Sequence, residues 1–437
     1  MSFRLASAAL LSLLAAAACG GIAPSSSNEP SPPATGPSAG EPPALGAPGS
    51  SENPPAPKYP IGPYTGAVAT TDVSILYPLP TNARASEAVR ASASGSHGAL
   101  LPQWLVALVH PGESLDPHGA STGYGALGLV SIRLDPCSAR GSNGVPGACR
   151  SEVRLVFQEL YDKLQGEDND PFAGTAATDG AFHVVYDVSQ AELVTMLQEI
   201  LTLKASNGDV GLQQLAPHPI LTDQGLGGAF AQGLRGIVLE HVGDDRIARV
   251  TFFDHSNNEV DVWSFGVFDR TSPDAPFLAT TIPTTDAVTQ SFSGSSTFGP
   301  LAQSYAEAVG TAPAAESLAP LLGGSRPAPG SAAVAALQPA FDAALRLENP
   351  TLRNVETTDC VSCHQAEGAA RVGKDLYALS TATAFTHSRS LARVDERTSV
   401  TNVHAFGYLH RKVSIMQRTA NESVLVADRM AGLIGPK

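Results

Sequence analysis

The run Cys360-Val361-Ser362-Cys363-His364 gathers two thiols and an imidazole within five residues. Such a set serves three chemistries: haem attachment, a redox dithiol, or half of a zinc site. Each makes its own demands. Zinc requires two more ligands at finger-like spacing, and the chain has no second closely spaced Cys pair. A thioredoxin-like dithiol belongs at a strand-to-helix turn, usually beside aromatic or Pro residues; here the intervening residues are Val361 and Ser362, and a histidine follows. Haem attachment uses all three groups. Two thiols add to the vinyl groups, the adjacent imidazole binds iron, and the start of a helix lets all three face one ring. From this chain's Cys and His frequencies, chance gives the pattern about once in several hundred such sequences. These residues favour one covalent haem c.

In bacteria such attachment takes place outside the cytoplasmic membrane, and the N-terminus reads as an export signal. Arg4 precedes an apolar stretch, Leu5 to Ala18, too short to span a bilayer. Ala16-Ala17-Ala18-Cys19-Gly20 resembles the lipobox of bacterial lipoproteins. The resemblance implies cleavage before Cys19, a lipid on its thiol, and anchoring to the outer membrane or the periplasmic face. An ordinary signal peptide with an A-x-A cut is the alternative. From Gly20 to about Pro63 the chain is Pro, Ser, Gly, Ala and Glu with few large apolar residues. Too little can be buried there to offset ordering entropy, so 19–63 is expected to be a disordered tether. Of the five cysteines, Cys137 and Cys149 remain, flanking a turn-rich loop. Outside the cytoplasm they are expected to form a disulfide worth about 3 kcal/mol by loop closure.

The elements that would position these groups divide at about residue 270. Trp104–His110, Leu127–Leu134 and Phe182–Val188 read as strands, and Ile247–Phe253 with Val260–Phe268 as a hairpin. Glu152–Leu160 fits strand and helix spacing equally. Ser189 to Glu192 reads as a capping box, followed by Leu193, Leu197, Ile200 and Leu201 at helical spacing and an Asn207-Gly208 stop. Later, Pro300–Val309 and Ala332–Leu347 read as helical, the second with a kink at Pro339. Thr419 to Glu422 reads as a second capping box, and Gly432 as a stop. The expected organisation is α+β: a signal peptide (1–18), the tether (19–63), a mixed, mostly β domain of unknown role (64–270), connecting loops and short helices (271–330), and a helical haem-binding domain (331–437). The length of 437 residues accommodates this. A net charge of −14 argues against nucleic-acid partners, which require a basic face.

In Cys360, Cys363, His364 and a helix at the C-terminus, the last hundred residues resemble the cytochrome c family. The resemblance implies haem bound covalently at Cys360 and Cys363, His364 as proximal iron ligand, and one-electron exchange with a redox partner protein. In small cytochromes c a methionine on a loop before the last helix usually completes the iron. Met416 has that place, 52 residues after His364. His404 and His410 are alternative distal ligands, and His387 is another rival; Met430 has the phase of a core residue. An electron carrier is favoured over a catalyst. The alternatives are a peroxidase-like enzyme in which His404 or His410 moves protons, and a binding or structural lipoprotein in which haem is a sensor or a stabilising core.

Other motifs carry less. Gly119 to Gly123 matches G-x-S-x-G but lacks the strand-turn-helix context of a nucleophile elbow. Asp254–Asp261 and Glu167–Asp170 are oxygen-rich loops without the EF-hand pattern and read as solvated turns. His110, His118, His183, His218, His241 and His255 show no metal-ligand spacing and read as structural or surface residues.

Overall fold

Register settles the element that spacing left open. In a computed structural model, Arg150–Lys163 is a strand. Val153, Leu155 and Phe157 enter one apolar layer, and Val156 enters a different one. That alternation is possible only at a period of two. The structure describes residues 67–109, 123–140, 149–164, 173–256, 261–295, 299–302, 318–323, 326–389, 392–397 and 402–435.

The strands in chain order are β1 (Ser74–Leu76), β2 (Ser94–Gly95), β3 (Gly98–Ala99), β4 (Leu127–Ser138), β5 (Arg150–Lys163), β6 (Gly174–Ala177), β7 (Ala181–Asp187), β8 (Ile247–Ser256), β9 (Asp261–Asp269), β10 (Leu278–Ala279), β11 (Thr289–Ser295), β12 (Gly299–Ala302), β13 (Phe406–Leu409) and β14 (Lys412–Ile415). The helices are α1 (Thr70–Val73), α2 (Gln103–Val109), α3 (Gln190–Ser206), α4 (Pro219–Gln224), α5 (Ala229–His241), α6 (Ala319–Leu322), α7 (Gln338–Leu347), α8 (Cys360–Arg371) and α9 (Gln417–Ile434). The fold is α+β. A ten-stranded antiparallel sheet runs β1-β4-β5-β7-β8-β9-β11-β12, with β6 added to β5 and β10 to β9. β2–β3 and β13–β14 are separate hairpins.

One sheet face is apolar and covered by helices. Ile132, Leu134, Val153, Leu155, Phe157, Phe182, Val184 and Tyr186 pack with Leu105 of α2, Leu197 and Ile200 of α3, Leu234 and Ile237 of α5, and Val426 and Met430 of α9. The other face carries Val156, Phe253, Trp263, Phe265 and Phe292 against Val361, Val403, Phe406, Tyr408 and Ile415. A third cluster joins α6, α7 and α8 through Leu321, Phe341, Ala344 and Ala369. The described residues lie in one compact unit, Pro54–Lys437. Residues 331–437 thus pack on both faces of the sheet and, with α6, also form the third cluster.

Four local expectations are corrected. Trp104–Val109 is helical, because Leu105, Val106 and Val109 are buried while Trp104 and Leu108 stay exposed, a helical rather than alternating pattern. Gly299–Ala302 is a strand, the rest of that helical expectation lying outside the described residues. Pro339 lies in the first turn of α7, where its missing N–H costs nothing, so it starts the helix rather than kinking it. α9 begins at Gln417 with Met416 as N-cap and runs past Gly432. Thr419 is therefore inside the helix, its hydroxyl donating to the Ala405 carbonyl (2.9 Å), and Glu422 pairs with Arg133 and Arg418. The Ser189 capping box on α3 forms as expected, Ser189 and Glu192 exchanging side-chain and backbone bonds.

Candidate functional site

The Cys-x-x-Cys-His run is the first turn of α8. Asp359 is its N-cap, accepting from Ser362 N at 2.9 Å. Gln290, on β11, locks this cap to the sheet: its Nε2 donates to Asp359 Oδ1 (2.6 Å) and its Oε1 accepts from Val361 N (3.0 Å). Asp359 and Gln290 are both buried, so the helix start has a fixed place and direction. With one residue per 100° of turn, Cys360, Cys363 and His364 fall on neighbouring faces of that turn.

The imidazole of His364 is held in one tautomer. Its Nδ1 lies 2.5 Å from the Val403 carbonyl, which can only accept, so Nδ1 carries the proton and Nε2 keeps its lone pair. The Phe253 and Phe265 rings lie 5.6 and 5.0 Å from the imidazole, centroid to centroid. Burial, against the Val403 bond that favours the proton, lowers its pKa to about 4, so the ring is neutral at pH 7. Metal-binding histidines are oriented by this kind of second bond. Burial, and then Cys363 and Asp359, push the Cys360 thiol up to about 12. Burial raises Cys363 as well, against the pull of Arg418. An attacking redox thiol needs the opposite shift.

These three side chains line one cleft of about 160 Å³ that opens to solvent. Its floor is the second face of the sheet. Arg133 pairs with Arg154 across β4 and β5, Val156 with His183 across β5 and β7, and His183 with Thr251 across β7 and β8. Alternation thus sets Arg133, Arg154, His183, Thr251, Phe253 and Phe265 along the cleft. The roof comes from residues after 350: α8, Ala405 and the first turn of α9. The roof hairpin β13–β14 is tied down by Gln158, which accepts from Tyr408 N (2.8 Å) and donates to Tyr408 O (2.7 Å). Gly407 leaves room for this, since a Cβ there would meet Gln158 Oε1 at 2.3 Å.

Of the residues singled out from sequence, Cys360, Cys363, His364 and Met416 line this one cleft. Met416 is buried at the N-cap of α9, its N–H donating to the Ala405 carbonyl. His404 is buried beside the cleft, its Nδ1 at 3.3 Å from Gln158 Nε2 and its Nε2 at 2.8 Å from Asp179 Oδ1. Its ring stands edge-on to Phe253. His410 bonds Tyr161 away from the cleft, and His387 pairs with Asp428. Met430 is in the core behind the sheet. Cys137 and Cys149 form a disulfide, and Ser138 and Arg140, just after Cys137, line the cleft. Cys19 and the expected signal peptide and tether lie outside the described residues, as do Glu167–Asp170 and most of Gly119–Gly123.

Sequence reasoning read His183 as structural or surface, whereas it faces the cleft from β7 and is kept neutral by burial and by nearby His364. The same reasoning missed the arginines on the floor. Neither has a spacing relation to the motif; strand register alone brings them there.

Among the described residues no three His, Cys, Asp or Glu side chains converge as ligands to a metal ion. Two protonated thiols, one oriented neutral imidazole and an adjoining cleft are the groups that a covalent haem requires. Among the described residues no helix is long and apolar enough to cross a membrane. No protein-family model, curated protein or solved structure matches this chain.

Proposed function

We propose that this chain is an exported, lipid-anchored c-type cytochrome that carries single electrons. Cys360 and Cys363 would hold one haem through thioethers, and His364 Nε2 would bind its iron. The observation that carries this reading is the fixed geometry of α8: both thiols and an imidazole with a committed tautomer line one cleft. When bound, the haem would supply a reversible ferrous–ferric couple. The chain's own residues do the rest. Asp359 and Gln290 position the attachment turn, Val403 orients His364, and Phe253 and Phe265 shield its ring from water. Met416 is the favoured sixth ligand, because it lines the cleft whereas His404 is engaged elsewhere. Lipid on Cys19 would keep the carrier at a membrane, beside its redox partner protein.

The test is pyridine haemochrome analysis and intact mass of protein exported with its own signal. One haem mass per chain with two thioethers is expected. Cys360→Ala and Cys363→Ala should each leave one. An unmodified fragment spanning Cys360–His364 would sink the proposal.

A second reading, a peroxide-handling enzyme, draws on His183. This neutral imidazole lines the cleft and would replace His404 and His410 as the proton-moving group. It requires saturable peroxide turnover that His183→Ala abolishes; a carrier shows neither.

A further inference from the structure

We propose that Arg133 and Arg154 form a binding site for a small oxyanion, a carboxylate or an inorganic oxyanion, on the sheet wall of the cleft. The two residues are direct cross-strand partners on β4 and β5, a placement that like charges disfavour, with Glu422 the carboxylate near both. Each guanidinium is anchored at one side only. Arg133 Nη1 reaches Glu422 Oε2 at 2.6 Å, and Arg154 Nη2 reaches Glu152 Oε1 at 2.9 Å. Both carboxylates are shared: Glu422 also takes Arg418 (2.8 Å), and Glu152 also takes Arg140 (3.3 Å), which Asp187 meets as well. What remains is a surplus of donors. Arg133 Nε and Nη2 and Arg154 Nε are buried with no acceptor, and Arg133 is only 6% exposed. Buried guanidinium N–H groups without an acceptor are costly, and a forked pair of them matches a carboxylate or oxyanion edge.

This site lies in the same cleft as Cys360, Cys363 and His364. Arg418 and Arg154 lie near enough to Cys363 to bias its thiol. The anion proposed is one from solution, and titration distinguishes it from the carboxylates that a bound haem would carry.

The experiment titrates sulfate, nitrite and acetate into the full protein, with or without haem as isolated, at constant ionic strength, with chloride as reference, by calorimetry. Saturable binding of at least one probe is expected. Arg133→Lys and Arg154→Gln should weaken it about tenfold or more, the change for losing one charge-assisted hydrogen bond. Arg84→Gln, an exposed position off the cleft, should leave it unchanged. Arg133→Lys keeps the charge that pairs with Glu422, so it remains decisive if Arg154→Gln does not fold. No uptake of any probe, or uptake by the two variants equal to the parent's, overturns the proposal. So does a cleft already filled by haem carboxylates, seen as no probe binding together with an Arg133→Lys shift of the visible spectrum. Absence of haem, read by mass, is a separate result that bears on the cytochrome proposal alone; the anion titration stands or falls without it.

Discussion

Replacing Asp359 by Ala isolates the clamp on the attachment turn. Two losses add. The cap on Ser362 N disappears, which costs about 1 kcal/mol. Gln290 Nε2 then loses its 2.6 Å acceptor inside a buried site, which costs about 1–3 kcal/mol. Asp359→Ala should therefore lower stability by about 2–4 kcal/mol in urea denaturation followed by circular dichroism. Asp359→Asn retains an acceptor oxygen and loses mainly the charge at the helix start, so its cost should stay under about 1 kcal/mol. Gln290→Ala removes the opposite half of the clamp. The double variant should fall short of the summed single effects by about 0.5–3 kcal/mol. Haem content per exported chain should fall with Asp359→Ala and hold with Asp359→Asn. If Asp359→Ala lies within about 0.5 kcal/mol of the parent, or if the two single effects add, the clamp does not position the turn as described.

Three further outcomes are expected. Met416→Ala should let carbon monoxide bind the reduced, haem-loaded protein and change its visible spectrum, while His404→Ala should not; an unaltered Met416→Ala spectrum removes Met416 as iron ligand. Burial alone would raise the Glu422 carboxyl, but Arg418, Arg133 and Arg154 outweigh it and hold it at about 2. Its contribution is then complete above about pH 4.5 and lost as pH falls toward 2. Glu422→Gln should flatten that acid limb in pH-dependent denaturation; an unchanged limb contradicts the assignment. Cys137→Ser with Cys149→Ser should cost about 3 kcal/mol, read as a lower urea midpoint, and a midpoint at the parent's value would mean the loop closes without help.

Sequence legibility followed the range of the interaction. The α3 capping box is read directly from Ser189 and Glu192, because both partners lie within one turn. Leu127–Leu134 and Phe182–Val188 are readable as strands because they are short runs rich in β-branched and other apolar residues, buried nearly throughout. Thr419-Ala420-Asn421-Glu422 misleads, because its oxygens and amide serve distant partners: Ala405, Glu348 through Asn421, and Arg133. Trp104 misleads because an exposed aromatic inflates an apparent strand. At the candidate site, the Cys-x-x-Cys-His turn is legible as five consecutive residues, and Met416, placed before the last helix, lines the same cleft. Gln290, Val403 and Arg133 are not, since each acts through a partner on a separate element that only the folded chain brings near.

The cleft takes its floor from strands that end before residue 270 and its roof from segments that begin after 350. During synthesis the floor strands emerge first, and the thiol-bearing turn follows late. On the cytochrome proposal, haem would be joined to Cys360 and Cys363 before α8 seats against Phe253 and Phe265. A fragment cut at residue 331 would keep the sulfurs and lose the wall behind them. Transplanting the five-residue signature into another scaffold would carry the chemistry without its container.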